Sequence, residues 1–366
     1  QPPEASHCNN IGPAQRTGIH AALLQAFGIP EGDKEAPERR PAGDLACLGA
    51  DEKPRLLHDL LGERLVSATP NPRAWSALLG DPTPAADPKV SRSDGRKAGD
   101  VSIEGVVLEV DAGILVPLLL LRPPHAGDAR LPVVIAAAQG GKQAFLRERA
   151  ADLAALLKGN VAVCLPDLRG TGETRPDTGH GRGSESTQIA ATELMLGRTL
   201  LGLRVRDLRS VLRYLRTRPD VDVRRIGLWG DSFAPANPPD RRFEMPLEVD
   251  DQPTIAEPLG GLVVLFGALF EPDLAAVYVR GGLVGYRSLL DHAFVEVPYD
   301  ALVPGILTTG DLRNVAAALA PRIRLEGLVD GFNRRVSVEA ARVLYGAGRI
   351  GADDGPAWLL PLLGPR

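Results

Sequence analysis

Cysteine, methionine and lysine are scarce in this chain of 366 residues, with three, two and six copies, and aromatic residues make up only 4%. Cys8, Cys47 and Cys164 are too few for a disulfide framework and have no C-x-x-C spacing, so neither a stapled fold nor a structural metal site is expected. Charge of one sign is lacking too. Forty-two basic residues face 46 acidic ones for a net charge of −4, and no basic run exceeds two residues. Such a surface does not track phosphates, which excludes nucleic acid as an expected partner. Long hydrophobic runs are missing as well: stretches 112–121 and 259–270 are the longest. Both fall short of the roughly 18–20 residues that cross a bilayer, so no membrane partner is expected. The chain opens at Gln1 with neither a methionine nor a signal-like segment. It therefore reads as a processed mature chain or an excised fragment, with its compartment open.

What is present describes a folded protein. Hydrophobic residues make up 44% and charged residues 24%, both globular values. Forty glycines and 32 prolines promise many turns. Residues 1–99 differ in texture from the rest. Ile19, Leu23, Leu24 and Phe27, then Leu56, Leu57, Leu60, Leu61 and Leu65, recur at helical spacing between Pro-, Asp- and Gly-rich stretches at 29–44 and 69–99. That span reads as an irregular helical and linker segment. A larger domain is expected over 100–366.

From Val101 onward, short apolar runs alternate with longer helical patterns. The runs are 101–109, 114–121, 132–138, 161–165, 225–229, 274–279 and 323–329. Helices are expected over 146–157, 201–215, 311–320 and 338–346. Strand, helix, strand in repeating order predicts an α/β fold: a doubly wound, mostly parallel sheet with helices on both faces. Val161 to Leu165 is apolar on both sides, as a covered sheet requires. The first two strands lack an intervening helix, and an antiparallel start follows.

Ligands of such sheets bind beyond the carboxyl ends of the strands, and four of those ends carry candidates. The sharpest is Gly230-Asp231-Ser232-Phe233-Ala234. Small residues two before and two after a serine let the chain turn sharply and hold the hydroxyl out as a nucleophile. The prolines at 235, 238 and 239 delay the following helix to Leu259, which makes 235–258 an insertion over the site. A second insertion is expected at 281–305. Gln139, Gly140 and Gly141 follow the strand 132–138 and offer backbone N–H groups which, with that of Phe233, would face a developing oxyanion. The G-x-G after Asp167 reads as a structural turn, because Arg175 stands where a dinucleotide loop has its third glycine. Asp330 ends the strand 323–329, in the position of an acid that orients a histidine.

These four ends, in this order over roughly residues 95–350, resemble the α/β-hydrolase superfamily, and within it the branch of acetyl xylan esterases and dienelactone-hydrolase-like proteins. The likeness is carried by Asp167 to Glu173, Gly230 to Ala234, the stretch Asp311 to Arg322, and Val329-Asp330-Gly331. It implies hydrolysis of carboxylic esters, among them acetyl esters of carbohydrates, without a cofactor or metal. Ser232 would be the nucleophile, Asp330 the acid, and Phe233 with a residue among Gln139 to Gly141 the oxyanion hole. One member of the triad is missing. The family's histidine follows the acid, yet no histidine occurs after His292.

Two residues are candidates to replace it. His292 lies in the second insertion, which should pass over the strand ends. His7, in His7-Cys8-Asn9-Asn10 before a helix, resembles the histidine loop that closes such domains. It either completes the triad in a permuted order or belongs to the end of an upstream hydrolase domain, with this domain a degenerate second copy. Residues 1–6 hold no strand to precede that loop, which favours the upstream domain. A homo-oligomer is the other partner expected. The rival to an esterase is thus a hydrolase-fold domain with a binding or structural role. Phe243, Met245, Tyr286, Phe294 and Tyr299 are expected to line an acyl or sugar pocket.

Overall fold

The computed structural model describes residues 12–31, 41–49, 54–63, 72–124, 130–176, 184–241, 252–352 and 354–364. Residues 1–55 and 56–366 form two units. In the first, α1 (Pro13–Phe27) ends at Gly28, whose left-handed backbone (φ 67°) stops the helix.

The second unit is built on one sheet of eight strands: β1 (Lys89–Ala98), β2 (Val101–Asp111), β3 (Ile114–Arg122), β4 (Leu131–Ala137), β5 (Ala162–Pro166), β6 (Val221–Gly230), β7 (Ala276–Arg280) and β8 (Ile323–Glu326). Their order across the sheet is β1-β2-β3-β5-β4-β6-β7-β8. The pairs β1·β2, β2·β3 and β3·β5 are antiparallel, and β5·β4·β6·β7·β8 run parallel. The mostly parallel sheet with an antiparallel start is therefore present.

Helices cover both faces because the central strands are apolar at every position. Val133, Ile135 and Ala137 of β4 point into one core, and Val134 and Ala136 into the other. The first core is closed by α3 (Pro72–Leu79), α7 (Leu200–Thr217), α8 (Leu259–Phe270), α10 (Leu312–Ala318) and α11 (Val338–Tyr345); the second by α4 (Gly141–Glu148), α5 (Ala150–Lys158) and α12 (Leu360–Leu363). Leu201, Val205, Leu208, Leu212 and Leu215 form the buried stripe of α7, and Thr199 Oγ1 accepts from Gly202 N at 2.9 Å to start that helix. Helices α2 (Leu57–Glu63) and α6 (Glu185–Met195) lie outside these layers, whereas the short α9 (Ile306–Thr309) buries Ile306 in the first core.

Two features depart from the sequence reading. The boundary expected at 99/100 does not divide the structure. The sheet already begins at Lys89, and Trp75 and Leu79 of α3 are fully buried in the core. Every residue of β1 is exposed, and apart from Val90, Gly95 and Ala98 the strand is polar, so it leaves no hydrophobic pattern to read. The helix expected over 146–157 is two helices broken at Arg149. After α11 the chain makes a parallel bridge, Ile350 to Leu325, before Leu359 and Leu363 dock into the core.

Membership of α3 in this core is testable by equilibrium urea unfolding. Trp75→Ala should cost about 3–5 kcal/mol, whereas Val90→Ala on exposed β1 should stay within about 0.5 kcal/mol. Equal small effects would return residues 72–79 to the status of a linker.

Candidate active site

Ser232 leaves the end of central strand β6, as the sequence motif requires, but its neighbours hold it in an unexpected way. Its turn is fixed by the side chain before it. The Asp231 carboxylate is completely buried and accepts from Arg149 Nε at 2.8 Å and Nη2 at 3.0 Å, from Trp229 Nε1 at 3.1 Å and from Ser232 N at 2.8 Å. Burial raises the pKa of this carboxyl, and the Arg149 guanidinium opposes the shift. Arg149 is the single residue between α4 and α5, and its non-helical backbone (φ −127°, ψ 22°) aims a cation at the elbow.

No helix follows the serine directly. The chain detours through the first insertion and begins α8 only at Leu259, yet the helix returns to the strand end. A side chain at Gly260 would collide with the carbonyl oxygens of Ala137 and Asp231, so only glycine lets α8 approach this closely. On the other side, Gly281 (φ 71°) follows β7, and a side chain there would meet Ser232 Cβ at 2.8 Å.

The oxyanion candidates are partly assembled. Gly140 lies against the Phe233 ring, which also meets Phe145 edge-on at 5.3 Å and carries the Arg149 guanidinium at 4.9 Å from its centroid. Gly141 N donates to Ala138 O at 3.1 Å, so that amide is engaged within its own turn. Gln139 Oε1 is buried without a hydrogen-bond partner. The Phe233 N–H is already engaged: it donates to Glu257 Oε2 at 3.1 Å.

Asp330 is engaged as well. Its Oδ1 accepts from Phe332 N and Arg334 N, both at 2.9 Å, and its Oδ2 from Arg334 Nε at 2.9 Å, while Arg334 Nη2 lies in ion-pair contact with Oδ2 at 2.8 Å. Three hydrogen bonds and an ion pair thus already occupy this carboxylate. His292 is exposed and stacks edge-on against Phe332 at 4.3 Å, which brings it to the turn that Asp330 opens. His7, Phe243 and Met245 lie outside the described residues.

The feet of the first insertion tie the elbow to this acid turn. Asn237 N donates to Asn333 O at 2.8 Å, and Asn237 Nδ2 to Phe332 O at 2.7 Å and Thr254 O at 2.9 Å; Asn333 Nδ2 donates in turn to Pro235 O at 2.9 Å. Asn333 holds a left-handed backbone (φ 57°), which asparagine tolerates better than most residues. Tyr286, expected in a pocket wall, is instead buried in the core with its hydroxyl donating to Ala301 O at 2.6 Å, because a phenol that deep needs an acceptor. Phe294 and Tyr299 are exposed. A cavity of about 550 Å³ touches Asp330, Gly285, Asp311, Arg313 and Asn314, and Ser232 is not among its lining residues.

Sequence reasoning passed over Arg149, Asn237, Glu257 and Arg334. The first three act across long sequence separations and sit in no motif. Arg334 was legible in principle, since an arginine four residues after an aspartate in a turn can fold back on it. Among the described residues no group of three or more metal-ligating side chains occurs, and no helix is long and apolar enough to cross a membrane.

Two outcomes are expected. Arg149→Ala, which strands the fully buried Asp231 carboxylate, should cost about 3–5 kcal/mol, Asp231→Ala, which leaves the partly exposed Arg149, should cost less, and the double variant should cost less than their sum; strict additivity in urea unfolding would deny the pairing. Burial pushes the Cys164 thiol up to about 12. It should therefore resist iodoacetamide at pH 8 in the native protein and react only after unfolding, and native alkylation read by peptide mass spectrometry would contradict its burial.

No family model and no curated protein sequence matches the chain. Solved structures do. A candidate acetyl xylan esterase from Bacteroides fragilis is similar over 83% of each chain at 14% identity, with a TM-score of 0.56. Acetyl xylan esterase 1 from Thermoanaerobacterium sp. superposes at 0.47, with 17% identity over 80% of this chain and 88% of that one. A promiscuous CE15 esterase from a marine bacterial metagenome superposes at 0.48, with 12% identity over 83% and 87%. The likeness to the Bacteroides fragilis protein, together with the strand order, places this chain in the α/β-hydrolase fold.

Proposed function

We propose that the chain hydrolyses carboxylic esters, with Ser232 carrying the acyl group. The observation that supports this most is the position of Ser232: at the end of central β6, pinned through Asp231, with Gly281 on one side and the pair Gly140 and Phe233 beside it. From there the Ser232 oxygen would attack the ester carbonyl. The hydroxyl proton goes to a base, the alcohol leaves with a proton, and water then releases the acid. His292, beside the acid turn, and His7 are the imidazoles proposed for that base. Acetyl esters of carbohydrates are the proposed substrate class, which the acetyl xylan esterase among the fold neighbours supports. No cofactor is needed for this chemistry.

A second reading has its own observation. Arg334 holds Asp330 through two hydrogen bonds and an ion pair, and a single bridge at Ile350 stands where the family's last strand would lead to a histidine. A domain so built would bind an ester or glycan without turning it over, in partnership with an upstream hydrolase domain or with a second copy of itself. Removal of a triad imidazole costs several orders of magnitude in rate, so the two readings differ by a large margin.

Labelling with a fluorophosphonate separates them, since only an activated serine reacts. The wild type should label and turn over a short-chain aryl acetate. Ser232→Ala should abolish both, and His292→Ala or His7→Ala should identify the base by a large loss. An unlabelled wild type would leave the binding reading in force.

A further inference from the structure

The hydrogen bond from Phe233 N to Glu257 places a carboxylate on the amide that an ester's carbonyl oxygen would need. Glu257 is not free to swing. Ala256 N donates to Glu296 O at 2.7 Å, and Thr254 N donates to Asn237 Oδ1 at 2.9 Å. On its other side Pro258 opens α8, whose Gly260 is locked against Gly230 and Asp231. The carboxylate is therefore delivered to the elbow by both feet of the first insertion. It is half-buried, which strengthens its pull on the amide over that of a solvated acid.

A backbone N–H facing a carboxylate oxygen at 3.1 Å has the geometry of an oxyanion donor holding the acid product of an ester. An oxyanion cannot take the same hydrogen bond while Glu257 holds it, and the like charge of Glu257 would repel it. We propose that Glu257 is an internal plug: the Phe233 amide is a binding position for small carboxylates, and the protein's own side chain fills it. The effect on ester cleavage rests on the reading of Ser232 as nucleophile, whereas the occupancy of the amide does not.

The eight phenylalanines make selective ¹⁵N-phenylalanine labelling practical, with the Phe233 resonance assigned by its loss in Phe233→Leu. Sodium acetate is titrated at constant ionic strength into the full chain as wild type, Glu257→Ala and Glu257→Gln. The Phe233 resonance should shift saturably with acetate in Glu257→Ala, should shift with weaker affinity in Glu257→Gln, whose neutral amide still competes, and should stay unmoved in the wild type. Fluorophosphonate labelling of the same proteins should be about a hundredfold faster in Glu257→Ala than in the wild type, the scale of one oxyanion donor.

A Phe233 resonance that ignores acetate in both variants overturns the plug, whatever the labelling does. Acetate binding without labelling in any variant upholds the plug and removes Ser232 as a nucleophile. If Glu257→Ala does not fold, the Glu257→Gln titration alone decides, because that substitution keeps the shape and an acceptor while removing the charge.

Discussion

A single buried carboxylate, that of Asp231, holds the elbow together. A strand that ends in a sharp turn ordinarily leans on the helix that follows at once, and here that helix is displaced by the insertion. Asp231 adds a local constraint by accepting from Trp229 on its own strand, from Ser232 in the turn, and from Arg149 at the break between α4 and α5. Three elements thus meet on one charge. Taking such a charge out of water is expensive, and the bidentate guanidinium is what makes it tolerable.

The rest of the site follows from the route the chain takes after the elbow. The described ends of the 235–258 insertion are sewn to the Asp330 turn through Asn237, Thr254 and Asn333. This arrangement lets α8 pack on β6 as though no insertion were present, with Gly260 at the contact. It also brings Glu257 to the Phe233 amide. The same insertion that keeps the fold intact therefore governs access to the amide.

Much of the fold was legible in the sequence because its signals are local. Central strands such as β4 and β5 are apolar at every position, and the stripe of α7 repeats over 18 residues. The edge strand β1 was not legible, since a fully exposed strand has no periodic pattern, and α3 was hidden among prolines and glycines although Trp75 anchors it. At the site, Gly230 to Ala234 stood out as a strand-end motif, and Asp330 stood out too, although β8 ends at Glu326 and the aspartate lies four residues beyond it. Glu257 and Arg149 did not, because the contacts that give them meaning form only once β6, α8 and the α4–α5 break are assembled.

The central claim, that Ser232 carries an acyl group, predicts a chemical intermediate. With Asp330 bound to Arg334, the base that should activate water for the second step is poorly supported, so an acyl-enzyme should persist once formed. Intact-mass and peptide mass spectrometry after brief exposure to an aryl acetate should reveal one acetyl group, located on the peptide containing Ser232. An unmodified Ser232 peptide after prolonged exposure would contradict the account.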